Sequence, residues 1–388
     1  MTVFAVVAAS TARADDAQPA QPEPPKSDLD NAVQSTIFRG DPVTKLYDDV
    51  EKWKADNKIP IEVGAWHWWH MNRNHPHDFM YGERGLEGTY YYYLKADPEF
   101  GGEGSPHFGA HVDARVRDGD ESFRPFFDSK AWLWEAYGWV DVNDVKIKAG
   151  KIWRRFGMDW DGSFYGNVAY FDGWKLDPDW GASIEHTCKF GNNITAPSFV
   201  QVFVAEDKVN GSITGADAES DEHASERESI VLRTVPTWTS EKLGAFAVGL
   251  SWQAGKIDHH DRSDNTVTAG AVDVSWTKGG AKAFAEWIQT IGERNSANYV
   301  TGGGSDKSTV AEIGGSYTYA FATLKANVSH GEYDNPGGSQ VLYLVGVDLA
   351  VIKNVTLTVE YVRWDAKQQH GPRAIFEDGF SFVINWHF

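Results

Sequence analysis

A closed, all-β, sixteen-stranded antiparallel transmembrane barrel is the fold this sequence predicts, and three observations predict it. From about residue 60 the apolar pattern repeats every second residue, the period of a strand whose two faces meet different surroundings. No window holds the roughly 18 consecutive apolar residues of a membrane helix. Hydrocarbon offers unpaired backbone groups no partner, so a lipid-embedded chain without such helices must close into a cylinder. The last stretch, Phe380-Ser381-Phe382-Val383-Ile384-Asn385-Trp386-His387-Phe388, alternates large apolar with smaller or polar side chains and stops on an aromatic. A terminal strand of that kind invites aggregation unless it is paired and its apolar face is covered.

Composition agrees. Hydrophobic residues make up 41%, aromatics 14%, and glycine 38 of 388 positions, a profile of strand formers that favours one large closed sheet over two soluble domains. The negative mean hydropathy is expected when every second residue faces water. The single cysteine, Cys188, rules out an intrachain disulfide and fits a fold held by closure. A net charge of −19 excludes nucleic acid as a partner, and no organic cofactor follows from the residues.

The chain divides into 1–14, 15–58 and 59–388. Residues 1–14 pair the apolar run Val3 to Ala9 with the small-residue pattern Ala12-Arg13-Ala14, a secretory signal lacking the usual basic start. Residues 15–58 begin with the proline-rich Gln18-Pro19-Ala20-Gln21-Pro22-Glu23-Pro24-Pro25, an extended linker. There follow Val43, Leu46, Tyr47, Val50 and Trp53 at helical spacing behind Asp41, a short helix serving either as a periplasmic element or as a plug at the barrel mouth.

Within 59–388 the period of two predicts strands at 60–70, 84–95, 107–117, 131–142, 145–155, 180–190, 197–206, 229–238, 244–254, 270–278, 281–290, 310–319, 321–330, 340–350, 355–366 and 377–388. In the third, Phe108, Ala110, Val112, Ala114 and Val116 point one way and His111, Asp113, Arg115 and Arg117 the other. In the ninth, Phe246, Val248, Leu250 and Trp252 point outward against Ala245, Ala247, Gly249 and Ser251. In the fifteenth, Val355, Leu357, Val359 and Tyr361 oppose Thr356, Thr358 and Glu360. Tight links at Asn143-Asp144, Gly279-Gly280, Ala320 and Val351 to Asn354 all follow even-numbered strands. Long links at 157–179, 207–228, 255–269 and 291–309 all follow odd-numbered ones, the alternation of periplasmic turns and external loops in such barrels. The link Ala96 to Pro106 is the exception.

Aromatics crowd the strand ends at Trp66, Trp68, Trp69, Tyr90 to Tyr93, Trp132, Trp134 and Trp139, where amphipathic rings suit the headgroup level. Trp66, Trp68, Tyr91 and Trp139 have inward parity, which also fits stacking platforms for sugars inside the lumen.

Glu135-Ala136-Tyr137-Gly138-Trp139-Val140, followed by Lys146-Ile147-Lys148-Ala149-Gly150-Lys151-Ile152-Trp153-Arg154-Arg155-Phe156-Gly157, resembles the fourth strand, tight turn and fifth strand of Gram-negative porins, of the general trimeric or the phosphate-selective type. The resemblance in architecture runs from about residue 60 to 388. It implies an outer-membrane homotrimer passing small hydrophilic solutes by passive diffusion, with the third external loop, here 157–179, folded inward. Pro98-Glu99-Phe100-Gly101-Gly102 is also similar to a piece of the constriction loop of enteric porins, yet falls in the first periplasmic turn.

Charge supplies the candidate site. Asp159, Asp161, Asp172, Asp177 and Asp179 load the loop with carboxylates, while parity turns Arg115, Arg117, Lys146, Lys148 and Arg154 inward on the neighbouring wall. Opposed rows across a narrow waterway would set up a transverse field. Asp113, Glu135, Asp141, Glu286 and Glu360 share the inward parity, so the wall is mixed and a broad or weakly cation-preferring pore is expected rather than an anion channel. Acidic loops could take Ca2+ or Mg2+ shared with lipopolysaccharide, or simply be solvated. His67, His70, His75, His77, His259 and His260 read as surface histidines, not a metal site. Two other classes stay open: an outer-membrane lipid hydrolase using His186, which lacks a nucleophile motif, and a soluble lectin-like β protein, which lacks a two-sheet core pattern.

Overall fold

The computed structural model describes residues 42–72, 86–101, 107–118, 131–158, 178–205, 224–259, 265–292, 307–334, 338–368 and 374–387. The signal reading at 1–14 and the proline-rich linker lie outside the described residues.

A helix, α1 (Pro42–Asp56), precedes strands β1 (Ile61–Asn72), β2 (Leu86–Ala96, continued by Glu99–Phe100), β3 (His107–Asp118), β4 (Ala131–Val142), β5 (Val145–Trp153), β6 (Pro178–Phe190), β7 (Ile194–Ala205) and β8 (Ala224–Thr234, continued by Thr237–Ser240). The second half comprises β9 (Gly244–His259), β10 (Asn265–Lys278), β11 (Ala281–Ile291), β12 (Lys307–Tyr319), β13 (Ala322–Tyr333), β14 (Gly338–Ile352), β15 (Val355–Gln368) and β16 (Ala374–His387). All pairings are antiparallel between sequence neighbours. β16 returns to β1 from Gly64↔His387 to Asn72↔Gly379, so the sheet closes with sixteen strands and no free edge.

Two strands are interrupted by proline, which brings no N–H to the ladder. At the first break Asp97 donates to the Pro60 carbonyl, and the Pro98 carbonyl accepts from Ala110. At the second, Val235 donates to Pro197 and Pro236 accepts from Val248. The hydrogen-bonded run thus passes through each step without adding a strand. The long link expected at Ala96 to Pro106 shortens accordingly, because Glu99 and Phe100 pair with Gly109 and Phe108. That register leaves Pro98 to Gly101 at the short-turn end, and the likeness of this stretch to a constriction loop is accidental.

Along β9 the expected parity holds. Phe246, Val248, Leu250 and Trp252 are exposed on the outer face of β9, while Ala245 and Ser251 are buried on the inner face. Hairpin chemistry fixes the register at the short-turn end, which is periplasmic in barrels of this kind. Asn143 and Asp144 both take positive φ (49° and 67°), as a two-residue type I′ turn requires. Phe100, Phe108, Phe190, Trp238, Phe246, Tyr317, Tyr319 and Phe321 all sit exposed near these turns and form an interfacial girdle. Several long links are shorter than expected: β9 and β10 reach to His259 and from Asn265, which absorbs most of 255–269. Beyond the lipid both faces meet water, so alternation of polarity stops before the strand does.

Helix α1 rests on the short-turn rim. Pro42 fits the first turn, where its missing N–H is not needed. Thr44 and Tyr47 are buried, and Asp48 Oδ1 pairs with Lys353 Nζ of the β14–β15 turn at 2.5 Å. The helix stops as Lys58 turns to φ 52°, with Ile59 N–H donating to the Lys54 carbonyl and Lys58 N–H to that of Ala55, a Schellman closure. Leu46 and Trp53 remain more than half exposed.

Candidate functional site

After Trp153 the chain leaves the wall and turns into the lumen. Arg155 N–H donates to Gln201 Oε1 on β7 at 2.7 Å, Gly157 N–H to Ser251 Oγ on β9 at 3.1 Å, and Met158 N–H to Glu286 Oε1 on β11 at 2.5 Å. Gln201 Nε2 returns a bond to the Trp153 carbonyl at 2.9 Å. Within a few residues the backbone has therefore crossed the inner faces of β7, β9 and β11. Phe156 and Met158 are buried there. The inward path implied for the third loop is thus present at its root, while Asp159, Asp161, Asp172 and Asp177 lie outside the described residues.

Arg154 anchors the root. Its Nε and one terminal nitrogen both donate to Asp179 Oδ2, at 2.8 and 2.7 Å, with the two side chains 2% and 1% exposed. Its other terminal nitrogen donates to Ser229 Oγ on β8 at 3.0 Å, and the guanidinium carbon lies 4.3 Å from the centre of the Phe203 ring. Asp179 is therefore a β6 wall residue and the partner of Arg154, rather than a loop carboxylate facing it across the channel.

The other members of the basic row face inward but are matched on their own side. Arg115 donates to Asp113 at 3.2 and 2.9 Å and lies between the rings of Trp66 and Trp134, 5.0 and 4.0 Å from their centres. Lys148 pairs with Glu185 at 3.2 Å, and Lys146 approaches Asp141 at 4.0 Å. The side chain of Arg117 lies outside the described residues, although its backbone pairs with Tyr91. Elsewhere on the wall Arg233 pairs with Asp273 at 2.7 Å, and Lys325 sits between Asp348 at 2.9 Å and Glu360 at 2.8 Å. Among the described residues the lumen wall is a mosaic of lateral ion pairs, so a bare basic row is not what faces the water. Glu135 accepts from the Trp153 N–H at 3.2 Å.

Trp66 and Trp139 follow their inward parity and line this wall, and Tyr93 and Trp134 join them. Tyr93 lies over Gly64, and Trp139 over Gly109, where a Cβ would collide with the ring. Lys95, Lys146 and Lys148 sit over Tyr93, Trp139 and Tyr137. Sequence reasoning missed Gln201, Arg233, Asp273 and Lys325, although the same parity rule could have found them; it turned Ser251 inward but gave it no role. Gln201 was hidden because its inward neighbours Phe199 and Phe203 are apolar, and those rings lie beneath Arg155 and Arg154.

Residues 202–369 match the family profile described as Gram-negative porin. No curated protein matches the chain in sequence. Among solved structures, the outer membrane channel DcaP of Acinetobacter baumannii superposes with a TM-score of 0.60 at 12% identity, covering 84% of this chain and 97% of that one. OmpF of Salmonella typhi, solved in complex with daunomycin, gives 0.60 at 11% identity over 85% and 97%. OmpT of Vibrio cholerae lacking its loop L8, an outer membrane protein, gives 0.56 at 12% identity over 84% and 99%.

Proposed function

We infer that the chain is a Gram-negative outer-membrane porin: a water-filled channel that passes small hydrophilic solutes and ions by passive diffusion. One observation carries this reading, a closed sixteen-stranded cylinder with a charged inner face into which the chain turns after β5. Polar solutes can exchange their hydration for wall groups, whereas apolar ones gain nothing from ordered lumen water. Lateral pairing of cations with Asp113, Glu185, Asp273 and Glu360 favours a broad pore with weak ion preference over a dedicated anion channel. The alternative of a sugar-selective channel loses support where the inward rings are already covered by cations, as Trp66 and Trp134 are by Arg115.

Liposome swelling tests the reading. Purified protein should give rates that fall smoothly with solute size and do not saturate. No swelling, or swelling confined to one saturable solute, would contradict it.

The same reading carries three further proposals. The assembly is a homotrimer, whose contact face would be the outer surface of β3 to β6. Ala110, Gly138, Ala149 and Ala182 are register partners there and form a flat row, whereas Leu250, Val272, Trp287, Ile313 and Val345 project from the opposite side. Crosslinking in mild detergent should yield trimers. Lipopolysaccharide, with Ca2+ or Mg2+ at the acidic loops, is the external lipid partner, which chelator sensitivity of the assembly would test. The protein is not an enzyme: His186, the residue a lipid hydrolase would need, contacts the Asp144 carbonyl at 2.9 Å in the β4–β5 turn, at the periplasmic end. Phospholipid hydrolysis by the purified protein would overturn that.

A further inference from the structure

His107 and His111 lie four residues apart on the inner face of β3, roughly 13 Å along the strand at ordinary strand rise. They occupy the stretch between the periplasmic turn and Arg115. Both ring nitrogens of His107 face carboxylates: Nε2 is 3.4 Å from Glu99 Oε2 on the continuation of β2, and Nδ1 is 3.4 Å from Asp141 Oδ2 on β4. His111 repeats the arrangement, with Nδ1 2.5 Å from Asp97 Oδ1 and Nε2 3.8 Å from Glu135 Oε2. The rings rest on β4 aromatics, His107 edge-on to Trp139 at 4.9 Å and His111 stacked on Tyr137 at 5.0 Å.

A protonated imidazole carries an N–H on each side, so each imidazolium would place its charge between two carboxylates. The remaining charges near the pair are Asp113 on β3, matched by Arg115, Lys95 on β2, matched by Glu62 on β1, and the β5 cations Lys146 and Lys148, matched by Asp141 and Glu185. These lysines stand behind their own carboxylates. The His107 side chain is 46% exposed and that of His111 14%, so protons and ions in the lumen reach both. When both imidazoles are neutral, Asp97, Glu99, Glu135 and Asp141 lose their facing imidazolium charge, and the periplasmic mouth becomes more negative.

We propose that His107 and His111 determine the ion preference of the channel in a pH-dependent way, with cation preference rising as both lose their protons. This rests on the porin reading. The test is the reversal potential of purified protein in a planar bilayer under a KCl gradient, in buffers containing EDTA, from pH 5.5 to pH 8, the interval in which imidazole charge changes. The K+/Cl− permeability ratio of the unaltered protein should rise with pH. His107→Gln/His111→Gln should hold the high ratio throughout, and His107→Arg/His111→Arg the low one. A flat ratio in the conducting unaltered protein overturns the proposal without any variant. So does an undiminished shift in the double glutamine variant. If no conductance steps appear at all, the porin reading fails and takes this proposal with it, so the two failures are distinguishable.

Discussion

Asp179→Ala should loosen the root of the inward loop far more than it weakens the barrel. Arg154 sends two N–H groups to Asp179 Oδ2, at 2.8 and 2.7 Å, and both side chains are almost fully buried. Removing one partner of a buried pair leaves the other charge uncompensated, at a cost of about 3–5 kcal/mol. That corresponds to an opening equilibrium roughly 150- to 4,000-fold larger, at 1.4 kcal/mol per tenfold. The nearest structure able to relax is the stretch Arg155 to Met158, held by side chains of Gln201, Ser251 and Glu286. The assay is hydrogen exchange read at the Arg155, Gly157 and Met158 amides. Exchange should accelerate by roughly 150- to 4,000-fold at all three together, while amides of β9 to β15 keep their protection. Replacing the pair with apolar residues, Arg154→Met/Asp179→Leu, should cost less than Asp179→Ala, because no charge is stranded. Unchanged exchange in Asp179→Ala, or a double variant worse than the single, would refute the assignment of Arg154 and Asp179 as the anchor.

Three other outcomes follow from the same geometry. Glu286→Ala removes the acceptor of the Met158 N–H, and loss of a charged hydrogen bond worth about 1.5–3 kcal/mol should speed exchange there, while Glu286→Gln, which keeps a carbonyl oxygen, should be milder. Leu250→Arg, on the lipid face of β9, should destabilise the folded barrel in bilayers by about 2–4 kcal/mol, whereas Ala247→Arg, on the lumen face of the same strand, should leave denaturant stability nearly unchanged. At the rim, Lys353→Ala should barely affect docking of α1, since that ion pair is partly exposed and such pairs contribute about 0–1 kcal/mol, while Tyr47→Ala should release it, as read by proteolysis. Burial raises the Tyr47 phenol above its ordinary value of 10.0. Because the folded state disfavours the phenolate, docking should be intact below pH 10 and weaken as pH climbs beyond it.

The strand count and the side each strand turns to the lipid were legible because the lipid imposes period two on every span. Strand ends were not, since polarity stops alternating where both faces are wet, as at Lys256, Asp258 and His259. The site was half legible. Parity alone placed Arg115, Lys146, Lys148, Asp113, Glu135, Glu286 and Glu360 on the inner wall. What it left out was pairing, because Arg154 finds Asp179 and Lys148 finds Glu185 through the β5–β6 register, and register between strands separated by a long loop is not written in either strand. Aromatics left two readings open: a ring at a strand end suits the headgroup level, yet Trp139 follows its inward parity, because Gly109 opposite leaves it room.

The account rests on a wall with hydrocarbon on one side and water on the other, and accessibility along β9 tests it most directly. With Cys188 replaced by serine, single cysteines from Ala245 to Trp252 would be labelled in lipid bilayers. Positions 245, 247, 249 and 251 should react with a membrane-impermeant thiol reagent, and 246, 248, 250 and 252 should instead be quenched by a lipid-borne quencher. Uniform reactivity along the strand, or a lumen face closed to the aqueous reagent throughout, would contradict it.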